Sequence, residues 1–253
     1  MTSTIILGVR IDAQRFSEAI ETLLDWAAGA NKYYVSTCTV YTIMMSEQNP
    51  DVQAALAAAN MVTADGMPLV WLQRWRGCAA ERVYGPDVLL QLCQRTSARG
   101  DRHFFLGGQP GVAERLADTL RLRFPGLQIA GVYCPPGDAL DNFPDVETLA
   151  RINDARPNVV WVGLGSPKQD LWMYLYRPHL DTPLMIGVGA AFDFISGVKP
   201  QAPAWMQRAG LEWLFRLAME PRRLWRRYLV YNGRFLTRLF QSYVVDRKKG
   251  SGR

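Results

Sequence analysis

Two histidines and four cysteines in 253 residues leave little material for a metal site or a disulfide framework. Cys38, Cys78, Cys93 and Cys134 form no Cys-x-x-Cys pair and read as free, buried thiols of a reducing compartment. His103 and His179 stand alone and read as structural or surface residues. No Asp-x-Asp occurs, so a common carboxylate pair for holding a divalent cation is missing, and neither metal nor cofactor is expected. No stretch reaches the roughly 18 uninterrupted apolar residues that a bilayer-crossing helix needs. The opening Met1-Thr2-Ser3-Thr4-Ile5-Ile6-Leu7-Gly8 has no basic leader ahead of an apolar core, so no signal peptide is expected. The glycine-rich stretches match neither GxGxxG in dinucleotide spacing nor GxxxxGK followed by Ser or Thr.

What is present is apolar enough to bury a core, at 49% hydrophobic residues, with a formal charge of +6. That charge is concentrated: from Arg208 onward arginines are many and acids few, while the preceding part is roughly balanced. A basic tail suits nucleic acid or an anionic membrane. Its bulky apolar residues, and the lack of a helix-turn-helix or zinc-ligand pattern, favour the membrane, and no nucleic-acid partner is expected.

Short apolar runs alternate with amphipathic stretches. Strands are expected at 4–9, 32–36, 61–64, 103–106, 128–132, 159–162 and 184–188, with helices among them at 13–28, 112–124, 146–155 and 169–177. This alternation predicts an α/β fold, a parallel sheet covered on both faces. Ligands of such sheets collect in the loops beyond the carboxyl ends of the strands. Those loops are loaded here: Ser36-Thr37-Cys38-Thr39, Ala64-Asp65-Gly66-Met67-Pro68, Gly107-Gly108-Gln109-Pro110-Gly111, Gly163-Leu164-Gly165-Ser166-Pro167-Lys168-Gln169 and Gly187-Val188-Gly189-Ala190-Ala191-Phe192-Asp193. Glycine there lets backbone approach a ligand, and the helix N-terminus behind it attracts phosphate, so Gly108 and Gly165 suit a diphosphate-bearing ligand. Singly these loops are weak signals, because Gly-Pro pairs mostly mark turns. Asp65, at a strand's carboxyl end, is placed either as a general base on a sugar hydroxyl or as a helix cap. Lys168 and Gln169 open the next helix, where the Gln169 amide either holds a sugar hydroxyl or is solvated.

From Arg222 to Val244, Leu224, Trp225, Tyr228, Leu229, Tyr231, Phe235, Leu236, Leu239, Phe240 and Tyr243 recur three and four residues apart and share one half of a helix. Arg222, Arg223, Arg226, Arg227, Arg234 and Arg238 share the other half. An in-plane membrane helix needs this pairing; an ordinary amphipathic helix with a solvated charged face is the alternative. On the membrane reading, Trp225, Arg227, Arg234, Phe235, Arg238 and Leu239 meet lipid. Residues 1–196 form the expected core and 197–253 the helical appendage.

Three stretches go beyond a generic α/β chain: Thr63-Ala64-Asp65-Gly66-Met67-Pro68 followed by Glu81-Arg82-Val83-Tyr84-Gly85-Pro86-Asp87; Gly163-Leu164-Gly165-Ser166-Pro167-Lys168-Gln169-Asp170-Leu171-Trp172; and Ala202–Arg216 running on to Glu220-Pro221-Arg222-Arg223-Leu224-Trp225-Arg226-Arg227-Tyr228. In this order, and over nearly the whole chain, they resemble the motifs of the WecG/TagA/CpsF glycosyltransferases. The resemblance implies a single Rossmann-like core of the type called GT-E. It also implies inverting, metal-independent transfer from a UDP-sugar to a polyprenyl-diphosphate-linked sugar at the cytoplasmic face of an anionic inner membrane. Asp65 would then be the catalytic base. Thr37, Arg82 and Gln169 would line the sugar pocket, Asp193 would touch the nucleoside, and Arg216, Arg223 and Arg226 would close over the diphosphate.

This chain departs from the pattern at Thr39, where many relatives have asparagine, and at Cys38. Losing an amide that reads the donor argues against N-acetylmannosamine and for UDP-glucose, the donor of a xanthan-type exopolysaccharide branch of the family. Two rival readings are a soluble nucleotide-sugar epimerase, which lacks its dinucleotide fingerprint, and a non-catalytic membrane scaffold. The sequence is compatible with a homo-oligomer.

Overall fold

The computed structural model describes residues 2–136, 140–141 and 143–250, with side chains as far as Val244. Its elements are β1 (Thr2–Ile6), β2 (Val9–Ala13), α1 (Phe16–Ala28), β3 (Tyr33–Cys38), α2 (Val40–Ser46), α3 (Pro50–Ala58), β4 (Met61–Ala64), α4 (Met67–Trp75), α5 (Gly85–Thr96), β5 (Arg102–Gly107), α6 (Val112–Arg123), β6 (Gln128–Tyr133), α7 (Val146–Ala155), β7 (Val159–Gly163), α8 (Lys168–Tyr176), β8 (Leu184–Gly187), α9 (Ala191–Ile195), α10 (Ala204–Arg208), α11 (Glu212–Met219), α12 (Pro221–Trp225) and α13 (Tyr231–Gly250). A π-helical turn, Arg226–Val230, joins α12 to α13.

The strands form one sheet in the order β1-β2-β4-β3-β8-β7-β5-β6. β1 runs antiparallel to β2, and all the other pairings are parallel. The first expected strand is therefore a hairpin: Leu7 and Gly8, both at positive φ, turn the chain between β1 and β2. An apolar leucine inside that turn hides it from a hydrophobicity pattern. Alternate residues of the central strands serve opposite faces. Val160 and Val162 pack with Ile43 of α2, Leu56 of α3 and Met173 of α8. Val159 and Trp161 pack with Leu23 of α1, Leu92 of α5 and Leu116 of α6. Helices thus cover both faces, as a parallel Rossmann-like sheet requires.

His103 is fully buried. It accepts from Trp161 Nε1 at 2.9 Å through Nδ1, which leaves its Nε2–H to meet Thr96 Oγ1 at 2.9 Å. Of the cysteines expected to be buried, Cys38 and Cys93 are, whereas Cys78 and Cys134 are half-buried.

The appendage lies against the core, with residues 251–253 outside the described ones. Phe235, expected at the membrane, is only 2% exposed and belongs to the same core cluster as α2 and α8; Leu239 packs beside it, and Leu224 is also buried. Tyr41 of α2 and Tyr231 of α13 meet edge to face at 5.0 Å between ring centroids. The apolar half of the tail helix is thus divided. One stripe seats on α2, while Trp225, Leu229, Leu236, Phe240 and Tyr243 remain exposed. An apolar arc this wide can serve two surfaces at once, which its periodicity alone does not reveal.

Candidate active site

The carboxyl ends of β3, β4, β5, β7 and β8 open into a cleft of about 650 Å3. Its lining includes Thr37, Thr39, Asp65, Gly108, Gly165, Lys168, Gln169 and Asp193 from the core, and Arg216, Arg223 and Arg227 from the appendage. A second cavity, of about 100 Å3, lies on the α2 side between Tyr41, Met67, Arg82, Glu212, Trp213 and Tyr228. Thr39, Asp65, Arg216 and Arg227 line both spaces, so Asp65 stands where the two cavities meet.

Asp65 follows β4 directly. Its backbone N–H donates to Cys38 O at 3.0 Å, which ties it to the neighbouring strand, and its Oδ1 accepts the Gly85 N–H at 3.1 Å. Burial pushes its pKa up to about 6, and Glu212 adds to the rise; Arg82 opposes both most strongly, helped by the Gly85 amide and Arg216. Glycine caps α4, so the Asp65 side chain is not spent as that helix's cap. A second buried carboxylate, Asp170, accepts from Ser36 Oγ at 2.6 Å and is also raised to about 6 by burial.

The remaining residues divide between contacts with the protein and exposure to the cavities. Thr37 donates its hydroxyl to Gly187 O at 2.6 Å, and Thr39 caps α2 by accepting from Thr42 N. Gln169 is buried, with Oε1 accepting from Gly189 N at 2.8 Å and Nε2 donating to Ser166 Oγ at 3.3 Å. It ties the loop after β7 to the loop after β8. A side chain on Gly187 would meet Met173 Cε at 2.8 Å and Gln169 Nε2 at 2.9 Å, so any larger residue there would displace this amide or the methionine tip. Asp193 is held by Lys199 Nζ at 2.7 Å, and Lys199 also reaches Glu220. Glu220 pairs in turn with Arg223.

The appendage arginines differ from expectation. Arg216 lines both cavities, its guanidinium 5.4 Å from the Phe194 ring centroid. Arg223 is exposed at the cleft rim. Arg226, expected over a diphosphate, is outside both cavity linings and lies over Trp225 instead. Arg227, expected at lipid, points inward, 4.6 Å from the Tyr41 ring centroid, with a buried Nε that has no hydrogen-bond partner. Burial lowers its pKa. The reason is register: Arg227 precedes Tyr231 by one turn, and Tyr231 belongs to the stripe that seats on α2. Arg234 stays exposed, and Arg238 pairs with Glu47 at 3.4 Å. Among the described residues, no group of three or more His, Cys, Asp and Glu side chains could hold a metal ion.

The model of the Glycosyl transferase WecG/TagA/CpsF family matches residues 4–249. The chain belongs to this family. It is therefore a glycosyltransferase, which leaves the epimerase and scaffold readings without support. Among its curated relatives is an N-acetylglucosaminyldiphosphoundecaprenol N-acetyl-beta-D-mannosaminyltransferase of Bacillus spizizenii, 31% identical over 209 residues, 82% of this chain and 78% of the relative. A protein of the same description from Bacillus subtilis strain 168 is 30% identical over 196 residues, 77% of this chain and 74% of the relative.

Two residues of the transferase's site escaped the sequence reading. Tyr84 lies within the first stretch, beside Arg82, and is given no role there. Glu212 sits inside the apolar Gly210-Leu211-Glu212-Trp213 run, where an acid in a tail with few of them was the available signal. Both touch Arg82 (Glu212 by an ion pair of 2.6 Å), and Arg82 also donates to the backbone carbonyl of Asp65.

Proposed function

We propose that this transferase moves a hexose from a UDP-sugar to a polyprenyl-diphosphate-linked sugar, with inversion and without a metal, at the cytoplasmic face of an anionic bacterial membrane. The observation that carries this reading is a recessed carboxylate, Asp65, at the junction of a large and a small cavity, with Arg216 and Arg227 facing the same junction. The large cleft takes the donor, with the nucleoside toward Asp193 and the diphosphate toward Gly108, Gly165, Lys168 and the rim residue Arg223. The small cavity admits the acceptor sugar. An acceptor hydroxyl oxygen attacks the anomeric carbon as the bond from that carbon to the phosphate oxygen breaks. Asp65 takes the hydroxyl proton and UDP leaves. A single displacement inverts the anomeric centre. The buried guanidinium of Arg227, together with Arg216, offsets the charge growing on the leaving diphosphate, a task often given to a divalent cation.

Two observations support a lipid-borne acceptor. The relatives named above act on a diphosphoundecaprenol-linked sugar. Trp225, Leu229, Leu236 and Phe240 form an exposed apolar stripe beside Arg234, and no helix among the described residues is long and apolar enough to cross a membrane. For the donor, Thr39 in the junction favours glucose over N-acetylmannosamine, whereas the named relatives favour the latter, in the assembly of a surface glycan or exopolysaccharide. A donor panel on a short-chain polyprenyl-diphosphate sugar decides this. UDP release that depends on acceptor and persists in excess EDTA is expected. Acceptor-independent release, or loss in EDTA with rescue by Mn or Mg, would overturn the mechanism.

A further inference from the structure

Arg82 has two partners that belong to different parts of the molecule. Its Nε donates to the backbone carbonyl of Asp65, while its Nη2 donates to Glu212 Oε2 at 2.6 Å, on the first residue of appendage helix α11. The guanidinium lies over the Tyr84 ring, 3.7 Å from the centroid, and the Tyr84 hydroxyl donates to Glu212 Oε1 at 3.0 Å. Gln201 Nε2 donates to the same hydroxyl at 3.3 Å. Both oxygens of Glu212 are thus engaged, and the side chains of Arg82 and Glu212 are only 16% and 12% exposed. Such a recessed carboxylate is costly unless its partners repay the lost water, and it has no share in the apolar packing of the tail.

We propose that Glu212 is a positioning residue for Asp65: it holds the Arg82 guanidinium on the backbone side of Asp65 and neutralises it there, so that the Asp65 carboxylate faces the cavity junction as a free base. Without Glu212, Arg82 is an uncompensated cation beside Asp65. It can then rotate onto the carboxylate and hold it in the ionised, weakly basic form. The raised pKa of Asp65 agrees with this, since Glu212 contributes to the rise and Arg82 opposes it. The other groups facing Asp65 are Arg216 on α11, Arg227 on the π-helical turn, Tyr84 ahead of α5 and Cys38 at the end of β3. Among these, Glu212 is the carboxylate that the appendage supplies. Docking of the tail and the basicity of Asp65 are therefore one event.

The proposal rests on Asp65 being the base, and the experiment separates the two ideas. The pH dependence of kcat/KM for transfer to a short-chain acceptor is measured for wild type, Glu212→Gln, Glu212→Asp and Asp65→Asn. Glu212→Gln is expected to move the acid limb down by about 1 pH unit, and Glu212→Asp to restore it. A rate lowered equally at all pH values, with the limb unmoved, overturns the role of Glu212. Near-wild-type turnover by Asp65→Asn overturns the base assignment instead. Should Glu212→Gln fail to fold, carboxylate carbon NMR on the wild-type protein decides: the Glu212 signal is expected to follow the titration of Asp65 near pH 6. A Glu212 signal indifferent to that titration overturns the proposal.

Discussion

At the scale of single residues, the chain uses burial in two opposite senses. Asp65 is recessed so that its carboxylate holds a proton up to a pKa of about 6, within reach of a physiological base. On the proposed mechanism only the ionised form accepts the acceptor's proton, so kcat/KM is expected to climb as pH rises through about 6 and to level off above it. Asp65→Asn should lose at least about a hundredfold in turnover while still binding UDP; an unchanged rate would remove Asp65 from the chemistry. His103 is buried the other way, its pKa pushed down to about 3. The unfolded chain takes up that proton near the ordinary histidine value, whereas the folded chain refuses it. His103 therefore adds stability above roughly pH 6.5, and this is lost by ~1.4 kcal/mol per unit as pH falls toward its folded value. Asp65 and Asp170, both raised to about 6, act in the opposite sense between the ordinary carboxylate range and pH 6. The His103 share is thus read as the difference between wild type and His103→Gln in denaturant titrations across that window. An identical acid slope in the two proteins would contradict it. Sequence position set Asp65 at a strand's carboxyl end, and left His103 either structural or at the surface; the direction of their titration was not legible, because burial is a property of the packed fold.

At the scale of elements, the tail helix was legible as amphipathic but not as two-sided. The stripe carrying Tyr231, Phe235 and Leu239 seats on α2, and one turn before Tyr231 this seating turns Arg227 into the cavities that Asp65 lines rather than toward lipid. Arg227→Ala should then cost about a hundredfold in turnover on a water-soluble acceptor, the scale of one lost charge-stabilising group. Arg234→Glu, on the exposed face, should leave that turnover within about twofold and weaken anionic-vesicle binding by ~1 kcal/mol or more. Equal effects of the two variants on soluble turnover would mean that the helix register is misread. Helix α4 joins the outward stripe: Trp75, 70% exposed, lies 6.1 Å from the Tyr243 ring, and Trp71 is exposed on the same helix. Replacing Trp75 and Phe240 together by glutamate is expected to lower partition onto anionic vesicles at least tenfold, the order set by two aromatic rings no longer entering the lipid surface. Sedimentation with vesicles measures this, and unchanged binding would place the lipid surface elsewhere.

For the whole molecule, most of the architecture was written in alternation: the parallel strands after the first hairpin, and the loops that carry Thr37, Asp65, Gly108, Gln169 and Asp193, lie where the pattern of apolar runs puts them. What the pattern could not hold was assembly across distance. Arg82 meets Glu212 from far along the chain, and Phe235 completes a core begun by α2 and α8. Cutting the chain after Ser196 should for that reason abolish transfer even on a soluble acceptor and also lower the melting temperature, since Leu224 and Phe235 leave their seats. A truncated core with full soluble activity would reduce the tail to an anchor. Helix α4 carries one more consequence. It starts two residues after Asp65 and ends at the exposed Trp75, so its nine residues form a strut of ~13 Å between the base and the outward aromatic face. If that face rests on lipid, the height of the reaction above the bilayer is set by a rigid rod rather than by a loop. The transferase then acts as a gauge, selecting which sugar along a lipid-borne chain can reach Asp65. Lengthening α4 by one turn should raise that height by ~5 Å and shift the preferred acceptor toward a longer saccharide.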